Sequence, residues 1–154
     1  MERAQETRTP GTAKRTLTRE NILRTVGNAV ASGPTLLAAT LRPRTSAALR
    51  EKVMLAVTSI NDCQLCSWGH SHWAMANGVP LEEVNQSLGQ DVAALEAKDP
   101  AEAAAILFAR HYAEHQDRID PASIENLKKH YSDAQVTEIL AYVRAITFGN
   151  LAGN

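Results

Sequence analysis

Residues 51–77 read EKVMLAVTSINDCQLCSWGHSHWAMAN and contain both cysteines of the 154-residue chain. Cys63 and Cys66 form a C-x-x-C motif. His70 follows the second cysteine by four residues, and Glu51 precedes the first by twelve. No other stretch concentrates redox-capable and proton-transferring side chains in this way. These residues therefore carry the strongest functional signal in the sequence.

The same stretch predicts two antiparallel helices. Apolar residues recur at helical spacing on both sides of Asn61 and Asp62, two residues that favour a turn. A helix rises about 1.5 Å per residue, so the position level with Glu51 on the second helix lies about ten residues past the turn, at His70 to His72. One face of the second helix is predicted to hold Cys63, Cys66, His70, Trp73 and Ala74.

These side chains support thiol chemistry. A thiol must ionise before it attacks an O–O bond or a disulfide, and a carboxylate hydrogen-bonded to an imidazole can accept its proton. Two cysteines three residues apart on a helix have Cα atoms within the roughly 4.4 to 6.8 Å that a disulfide spans. Attack of one thiolate on a peroxide would give a sulfenic acid, which the other thiol would convert to a disulfide. The spacing predicts that His70 bridges Glu51 and Cys66.

The four residues resemble the alkyl hydroperoxidase D / carboxymuconolactone decarboxylase-like family. Its redox-active members carry E-x11-C-x-x-C-x-x-x-H on an antiparallel helix pair, and the matching positions here are Glu51, Cys63, Cys66 and His70. The clear resemblance covers about residues 50–80, with a vaguer similarity in the helical remainder. It implies an all-α, alkyl hydroperoxidase D-like bundle that oligomerises, often as trimers or hexamers.

The resemblance also implies an activity, the thiol-dependent reduction of hydroperoxides. Cys66 would attack the peroxide, Cys63 would resolve the product to a disulfide, and Glu51 with His70 would relay protons. No cofactor is implied beyond this disulfide, and an external dithiol, of which a lipoyl-type reductant protein is the suggested kind, would restore the thiols. Some peroxidatic members place a histidine directly before the second cysteine, where this chain has Leu65. The decarboxylase branch lacks the cysteine pair, so a lactone decarboxylase fits poorly.

Composition indicates one soluble globular domain. Apolar residues make up 44% and charged residues 21% of the chain, and the net charge is -1. This charge gives no reason to expect nucleic acid or an anionic membrane as a partner. No apolar run reaches the roughly 18 to 20 residues that cross a bilayer, and no secretory signal is recognisable. We therefore expect a cytoplasmic protein, in which a close cysteine pair is typically catalytic, redox-sensing or metal-binding.

Turn and capping signals predict a flexible tail over residues 1–17 and a single all-α domain of six to eight helices over residues 18–154. The first helix is predicted to begin after Thr18 and to end at the Ser-Gly-Pro sequence of residues 32–34. Its apolar residues recur at helical spacing and are Ile22, Leu23, Val26 and Val30. Later helices are predicted over residues 35–41, 46–60, 63–77, 81–88, 100–116, 121–130 and 133–149, with caps at Thr45, Asp62, Asp99, Asp120 and Ser132. A segment over residues 92–97 is a further candidate helix that is not counted among these eight.

Other interpretations of the central motif stay open. Cys63 and Cys66 could be two zinc ligands, with His70 or His72 as a third, although the chain has no second cysteine pair. They could also be inert buried cysteines. A c-type haem site is excluded, because Ser67 rather than a histidine follows the second cysteine. The rival to an enzyme is a non-catalytic oligomeric helical protein that acts as a redox sensor or scaffold.

The remaining aromatic and histidine residues favour structural roles. His72 is predicted to lie on a different face of the helix from His70. Trp68 and Trp73 are predicted to be anchors in the core or at a subunit interface. His111 and His115 are four residues apart, a spacing that can bind metal. A tyrosine stands where a zinc protease motif needs glutamate, so a solvated helix face is favoured there.

Overall fold

The computed structural model describes residues 14–89, 99–115 and 119–154, and every regular element in these ranges is an α-helix. The predicted all-α fold is confirmed, with seven helices among the described residues. The segment predicted as a helix over residues 92–97 lies outside the described residues. The helices are α1 (Ile22–Leu41), α2 (Ala47–Asn61), α3 (Gln64–Ala76), α4 (Leu81–Leu88), α5 (Pro100–His115), α6 (Pro121–Lys128) and α7 (Asp133–Gly153).

Helix α2 is the centre of the bundle and packs against α3, α4, α5 and α7. Its sequence is apolar nearly all round, which is typical of a helix surrounded by others, and 10 of its 15 residues are buried. The main core lies between α2, α5 and α7, and a smaller cluster between α2, α3 and α4 contains Leu55, Ala74, Val79 and Val84. The polar side chains of Glu51 and Lys52 on α2 are therefore buried within the bundle.

Helix α1 differs from its prediction. The Ser-Gly-Pro sequence does not end it, because α1 continues through Pro34 to Leu41. Proline removes one backbone hydrogen bond from a helix interior. Here the proline is exposed, so its ring avoids the packed side of the helix. Asn21 rather than Thr18 occupies the N-cap position, and its Oδ1 accepts a hydrogen bond from the Thr18 N–H at 2.8 Å.

Packing against α7 stabilises α1 as one continuous helix. The buried residues of α1 are Thr25, Ser32 and Ala39, which are seven residues apart and so lie on one side along its whole length. The apolar residues from which the helix was predicted lie on the outer side instead. A hydrophobic period shows that a helix forms, but it does not show which side the rest of the chain will cover.

The beginning of α2 is held by two hydroxyl groups. Ser46, not Thr45, is the N-cap, and its Oγ accepts a hydrogen bond from the Leu49 N–H at 3.1 Å. Thr45 is buried and donates its hydroxyl hydrogen to the Glu138 carboxylate on α7 at 2.6 Å. The predicted cap was wrong by one residue, because the α7 carboxylate engages the Thr45 hydroxyl.

The turn between α2 and α3 is confirmed, but its caps are not as predicted. Asp62 has φ 54° and ψ 44°, the left-handed conformation, and it ends α2 rather than capping α3. Cys63 is the N-cap of α3, and its Sγ accepts a hydrogen bond from the Cys66 N–H at 3.4 Å. The turn thus places the first cysteine at the junction of the two helices.

The later helices begin where predicted. Asp99 Oδ1 accepts hydrogen bonds from two N–H groups in the first turn of α5, and Asp120 caps α6. Ser132 and Gln135 form the predicted capping box of α7. Helix α7 then runs beyond its predicted end, to Gly153.

This extension brings the end of α7 to the end of α2. The Leu17 N–H donates to the Leu151 carbonyl at 3.1 Å, so part of the predicted tail lies on the helical domain. The Asn154 side-chain amide donates to the carbonyls of Asn61 and Arg15, each at 2.8 Å. These contacts surround the turn from which the cysteine motif starts. None of the described helices is long and apolar enough to cross a membrane.

Candidate active site

The helix pair brings Glu51 and His70 together, as the helical rise predicted. Glu51 Oε2 lies 2.7 Å from His70 Nδ1, and Arg50 Nε donates to Glu51 Oε1 at 2.9 Å. Glu51 is only 2% exposed. An ionised carboxylate only accepts hydrogen bonds, so Nδ1 donates, and Nε2 is the ring atom left to exchange a proton.

The environment keeps the Glu51 carboxyl ionised. Burial by itself raises its pKa, but the hydrogen bonds and positive charges of His70 and Arg50 outweigh burial. The pKa of Glu51 is therefore lowered from its ordinary value. A carboxylate that is charged at neutral pH can orient the imidazole and stabilise its protonated form.

Cys63 and Cys66 are paired in this structure. Their sulfur atoms are in disulfide contact, and their Cα atoms are 5.3 Å apart. Cys63 is 1% exposed, whereas Cys66 is only partly buried and packs against the main core. Because Cys63 is the N-cap of α3, both sulfurs lie at a helix N-terminus, where unpaired N–H groups favour a thiolate once the pair is reduced.

Two grooves lie around α3 and expose different parts of the site. One, of about 370 Å³, is lined by Glu51 and His70 together with Trp73. The other, of about 510 Å³, is lined by Cys63, Trp68, Ser71 and others. Within the described part of the chain, no hydrogen bond joins His70 to either sulfur. A proton passing between them therefore needs a side-chain movement or a bridging molecule.

The aromatic residues of α3 are not core residues. Trp68 is 65% and Trp73 is 59% exposed, so the core alternative of their predicted role is wrong, and the subunit-interface alternative stays a prediction. Trp73 packs edge-on against His70, with ring centroids 5.2 Å apart. His72 lies on another side of α3, as predicted, and Nδ1 of its exposed ring is 2.7 Å from the Trp68 carbonyl. His72 also lines the groove of Cys63.

Sequence reasoning missed Gly153. A Cβ atom at this position would lie 3.4 Å from Cys63 Sγ and 3.8 Å from Cys66 Sγ. The last turn of α7 therefore covers the sulfur pair with backbone alone. No signal in the sequence indicates this contact, because it depends on how the end of α7 packs.

A buried amide network beside the motif was also missed. The Asn61 side-chain amide donates to Asn150 Oδ1 at 3.3 Å, and the Asn150 amide donates to Thr58 Oγ1 at 3.1 Å. Both asparagines are fully buried. Asn61 was interpreted only as a turn residue, and Asn150 lies one residue beyond the predicted end of the last helix, so neither amide was predicted to be buried.

Metal binding receives no support from the geometry. In residues 14–89, 99–115 and 119–154, no three His, Cys, Asp or Glu side chains are placed to hold an ion together. His111 and His115 stack with ring centroids 4.3 Å apart, and His111 Nε2 accepts a hydrogen bond from the Asp120 N–H. His111 Nε2 is therefore occupied by a hydrogen bond from the N-cap residue of α6.

Comparison with known proteins identifies the family to which the chain belongs. The profile of the carboxymuconolactone decarboxylase family matches residues 17–111, which is more than half of the chain and includes the whole of α2 and α3. The chain belongs to the carboxymuconolactone decarboxylase family. No curated protein and no solved structure matches it in the corresponding searches.

Family and geometry together support a redox role for the cysteine pair. The family match covers the residues of the pair, and the two sulfurs are within bonding reach. The same helix hairpin carries an ionised carboxylate bonded to an imidazole. This member of the carboxymuconolactone decarboxylase family thus has the groups for two-electron thiol–disulfide exchange and for proton transfer on 20 consecutive residues.

Proposed function

We propose that this protein is a thiol-dependent peroxidase that reduces small hydroperoxides with its Cys63–Cys66 dithiol. The observation that supports this most is the pairing of the two sulfurs on the helix hairpin that also joins Glu51 to His70 at 2.7 Å. A dithiol alone serves many redox proteins. A buried carboxylate–imidazole pair beside it adds the proton transfer that reduction of a peroxide requires.

In the first step Cys66 acts as the attacking thiol, because it is the more exposed of the two. Its proton passes to His70 Nε2 through a bridging water or after a side-chain movement, and the thiolate attacks one oxygen of the hydroperoxide. An S–O bond forms, the O–O bond breaks, and the leaving alkoxide takes the proton from the imidazolium. The products are an alcohol and Cys66 sulfenic acid.

In the second step Cys63 resolves the sulfenic acid. Its thiolate attacks Cys66 Sγ, an S–S bond forms, and hydroxide leaves with a proton as water. An external dithiol then reduces the disulfide by two thiol–disulfide exchanges and is itself oxidised to a disulfide. A lipoyl-type dithiol is the proposed donor, and no other cofactor takes part.

One observation favours a second candidate, a redox sensor. Cys63 is 1% exposed and lies under the last turn of α7, so an external dithiol reaches it poorly in the oxidised state. A sensor would form the disulfide with peroxide but would turn over slowly with any donor. The two functions share the first oxidation and differ in the rate of reduction.

The test measures both half-reactions. Reduced wild-type protein is mixed with one equivalent of cumene hydroperoxide, and thiol titration with mass spectrometry locates the disulfide. Steady-state consumption of the peroxide is then followed with excess dihydrolipoic acid. The matched variants are Cys66→Ser, which removes the attacking thiol, and Cys63→Ser, which removes only the resolving one.

The peroxidase is supported if wild type turns over, Cys66→Ser does not, and Cys63→Ser accumulates a sulfenic acid that dimedone traps. Formation of the disulfide without turnover supports the sensor. A wild type in which peroxide forms no Cys63–Cys66 disulfide would exclude both.

A further inference from the structure

The groove beside Glu51 and His70 presents a positive charge to solvent. Arg50 lines this groove, and 34% of its side chain is exposed. The side chain of Glu51 is only 3% exposed and that of His70 is 13% exposed. The uncharged lining residues are Met54, Trp73 and Asn77. A molecule that enters the groove therefore meets the Arg50 guanidinium as the accessible charge.

Most of the hydrogen-bonding capacity of Arg50 is not used within the described chain. Its Nε donates to Glu51 Oε1 at 2.9 Å. Among the residues that the structure describes, no hydrogen bond or ion pair engages the two terminal nitrogens of this guanidinium. The N–H groups of terminal guanidinium nitrogens bind a carboxylate through parallel hydrogen bonds. Arg50 can therefore bind an anion while it supports Glu51.

The negative charge of Glu51 does not cancel this attraction. Its carboxylate is buried, and its two oxygens are already bonded, one to Arg50 and the other to His70. Once His70 accepts a proton in the proposed first step, the guanidinium and the imidazolium outweigh the single carboxylate. An anionic substrate is thus bound most strongly as the thiolate attacks, and an interaction of that kind accelerates the chemical step.

The position of Arg50 sets where the anionic group of a substrate would lie. Arg50 precedes Glu51 on α2, so it is farther from the turn between α2 and α3 than the Glu51–His70 pair is. Cys66 is nearer the turn, four residues before His70 on the same side of α3, which is about 6 Å along the helix axis. A substrate that reaches both Cys66 and Arg50 therefore needs its peroxide and its anionic group at opposite ends.

The rest of the groove suits a small apolar body between those two ends. Trp73 is 59% exposed and packs edge-on against His70, so its indole forms an apolar wall. Met54 is partly buried and packs against the main core. The volume of about 370 Å³ is near the lower end of the range of roughly 300 to 1,000 Å³ that small-molecule sites occupy. A substrate with a single ring fits this space.

We propose that the hydroperoxides reduced by this protein carry a carboxylate, which Arg50 binds while the peroxide group faces Cys66 and His70. This inference rests on the proposed peroxidase function and names its substrate class. The reaction balances as before: the O–O bond breaks, Cys66 is oxidised to the sulfenic acid, and an alcohol that keeps the carboxylate is released. Arg50 then determines specificity in addition to holding Glu51, and neutral hydroperoxides are the poorer substrates.

Binding of an unreactive analogue tests the anion site without peroxide. The probes are 4-isopropylbenzoate and its uncharged match 4-isopropylbenzamide, titrated at pH 7 into the oxidised protein and followed by nuclear magnetic resonance. Wild type should bind the carboxylate about 10-fold more tightly, the scale of a charge-assisted hydrogen bond that is partly exposed to water. Arg50→Gln should bind both probes equally, and Arg50→Lys should keep part of the preference. The control is Arg42→Gln, which removes an exposed arginine outside the groove.

Steady-state kinetics test the substrate class. The matched substrates are cumene hydroperoxide with a para-carboxylate and the methyl ester of the same compound, each reduced with excess uncharged dihydrolipoamide. The ratio of kcat/KM for the acid to that for the ester should be about 10 in wild type and in Arg42→Gln, and about 1 in Arg50→Gln. Loss of the support for Glu51 slows both substrates alike, so this ratio separates recognition by Arg50 from its positioning role.

Equal binding of the two probes by wild type, or equal kcat/KM for acid and ester, would overturn the proposal. So would a preference for the carboxylate that persists in Arg50→Gln or that is also lost in Arg42→Gln. If the binding preference is found but neither hydroperoxide is consumed, the peroxidase function is refuted together with its substrate class, and the role of Arg50 as an anion site is supported.

Discussion

Gly153 lies over the Cys63 sulfur, close enough that an added Cβ atom would touch it. A Cβ atom there would be 3.4 Å from Cys63 Sγ, which is ordinary contact, but larger side chains would have to displace the end of α7. This residue therefore controls how closely the last turn of α7 seals the cysteine pair.

Substitution of this glycine should depend on side-chain size. We expect Gly153→Ala to keep the stability of wild type within about 1 kcal/mol, whereas Gly153→Val should cost about 1 to 3 kcal/mol through overpacking. Urea unfolding measures the difference. Gly149→Val on the same helix is the control, because a Cβ atom at Gly149 meets nothing within 4 Å. Equal losses in the two valine variants would contradict the contact.

Neutralising Glu51 should slow oxidation of the dithiol. Glu51→Gln removes the charge that stabilises a protonated His70, so disulfide formation with peroxide should be about 100-fold slower at pH 7. Stopped-flow tryptophan fluorescence can follow the reaction. Glu82→Gln, on the exposed first turn of α4, is the control and should react like wild type. An unchanged rate in Glu51→Gln would remove this carboxylate from the proposed relay.

Lys52 should be a strong determinant of stability. Its buried ammonium lies 2.6 Å from Glu83 Oε2 and 2.7 Å from Glu102 Oε1, so it joins α2 to α4 and α5. Burial alone lowers the pKa of Lys52, but the two carboxylates raise it overall. Lys52→Met leaves both carboxylates without this cation and should cost roughly 3 to 5 kcal/mol in denaturant unfolding.

The control for that experiment is Lys128→Met. Lys128 is solvent-exposed, and its nearest carboxylate oxygen is 3.7 Å away. Such surface pairs contribute about 0 to 1 kcal/mol. Similar losses in the two variants would show that the buried ammonium contributes no more than a surface one.

Glu138 should make stability depend on pH. Burial raises the pKa of this carboxyl, but hydrogen bonds from Thr45, Arg44 and Tyr142 outweigh it and lower the pKa. Its contribution is therefore fully present above the ordinary value of 4.5 and is lost as the pH falls through the lower pKa of the folded state. Thermal unfolding between pH 3 and 7 should give a flatter curve for Glu138→Gln than for wild type. Glu125→Gln, an exposed residue of α6, should follow wild type.

The left-handed conformation of Asp62 should determine how substitutions at this position change the stability of the protein. Asp62→Gly should leave stability unchanged or raise it by up to about 1 kcal/mol, because glycine adopts φ 54° without strain. Asp62→Ala should cost about 1 kcal/mol, and Asp62→Asn should behave like wild type. A clear loss of stability in Asp62→Gly would instead indicate that the side chain caps α3.

The helix pair and the contact between Glu51 and His70 could be predicted because both depend on local geometry. A two-residue turn forces the helices to be antiparallel, and the helical rise then sets which residues are level. The cap positions were less accurate, since Glu138 on a distant helix binds the hydroxyl of Thr45. One long-range contact was enough to shift the cap by a residue.

The rest of the site depends on packing between distant segments. Gly153 and Asn150 reach the cysteine motif only because α7 extends past its predicted end. The course of α1 through Pro34 could not be predicted either, since proline usually ends a helix and only its exposed position makes it tolerable.

The short separation of Cys63 and Cys66 has a consequence for the whole molecule. A cross-link between residues only three apart closes a very small loop, and the stabilisation from a disulfide grows with loop length. The bundle is held instead by the apolar contacts of α2 and by the buried polar clusters of Lys52 and Glu138. Gain or loss of two electrons at this pair therefore changes the folding free energy less than reduction of a long-range disulfide would.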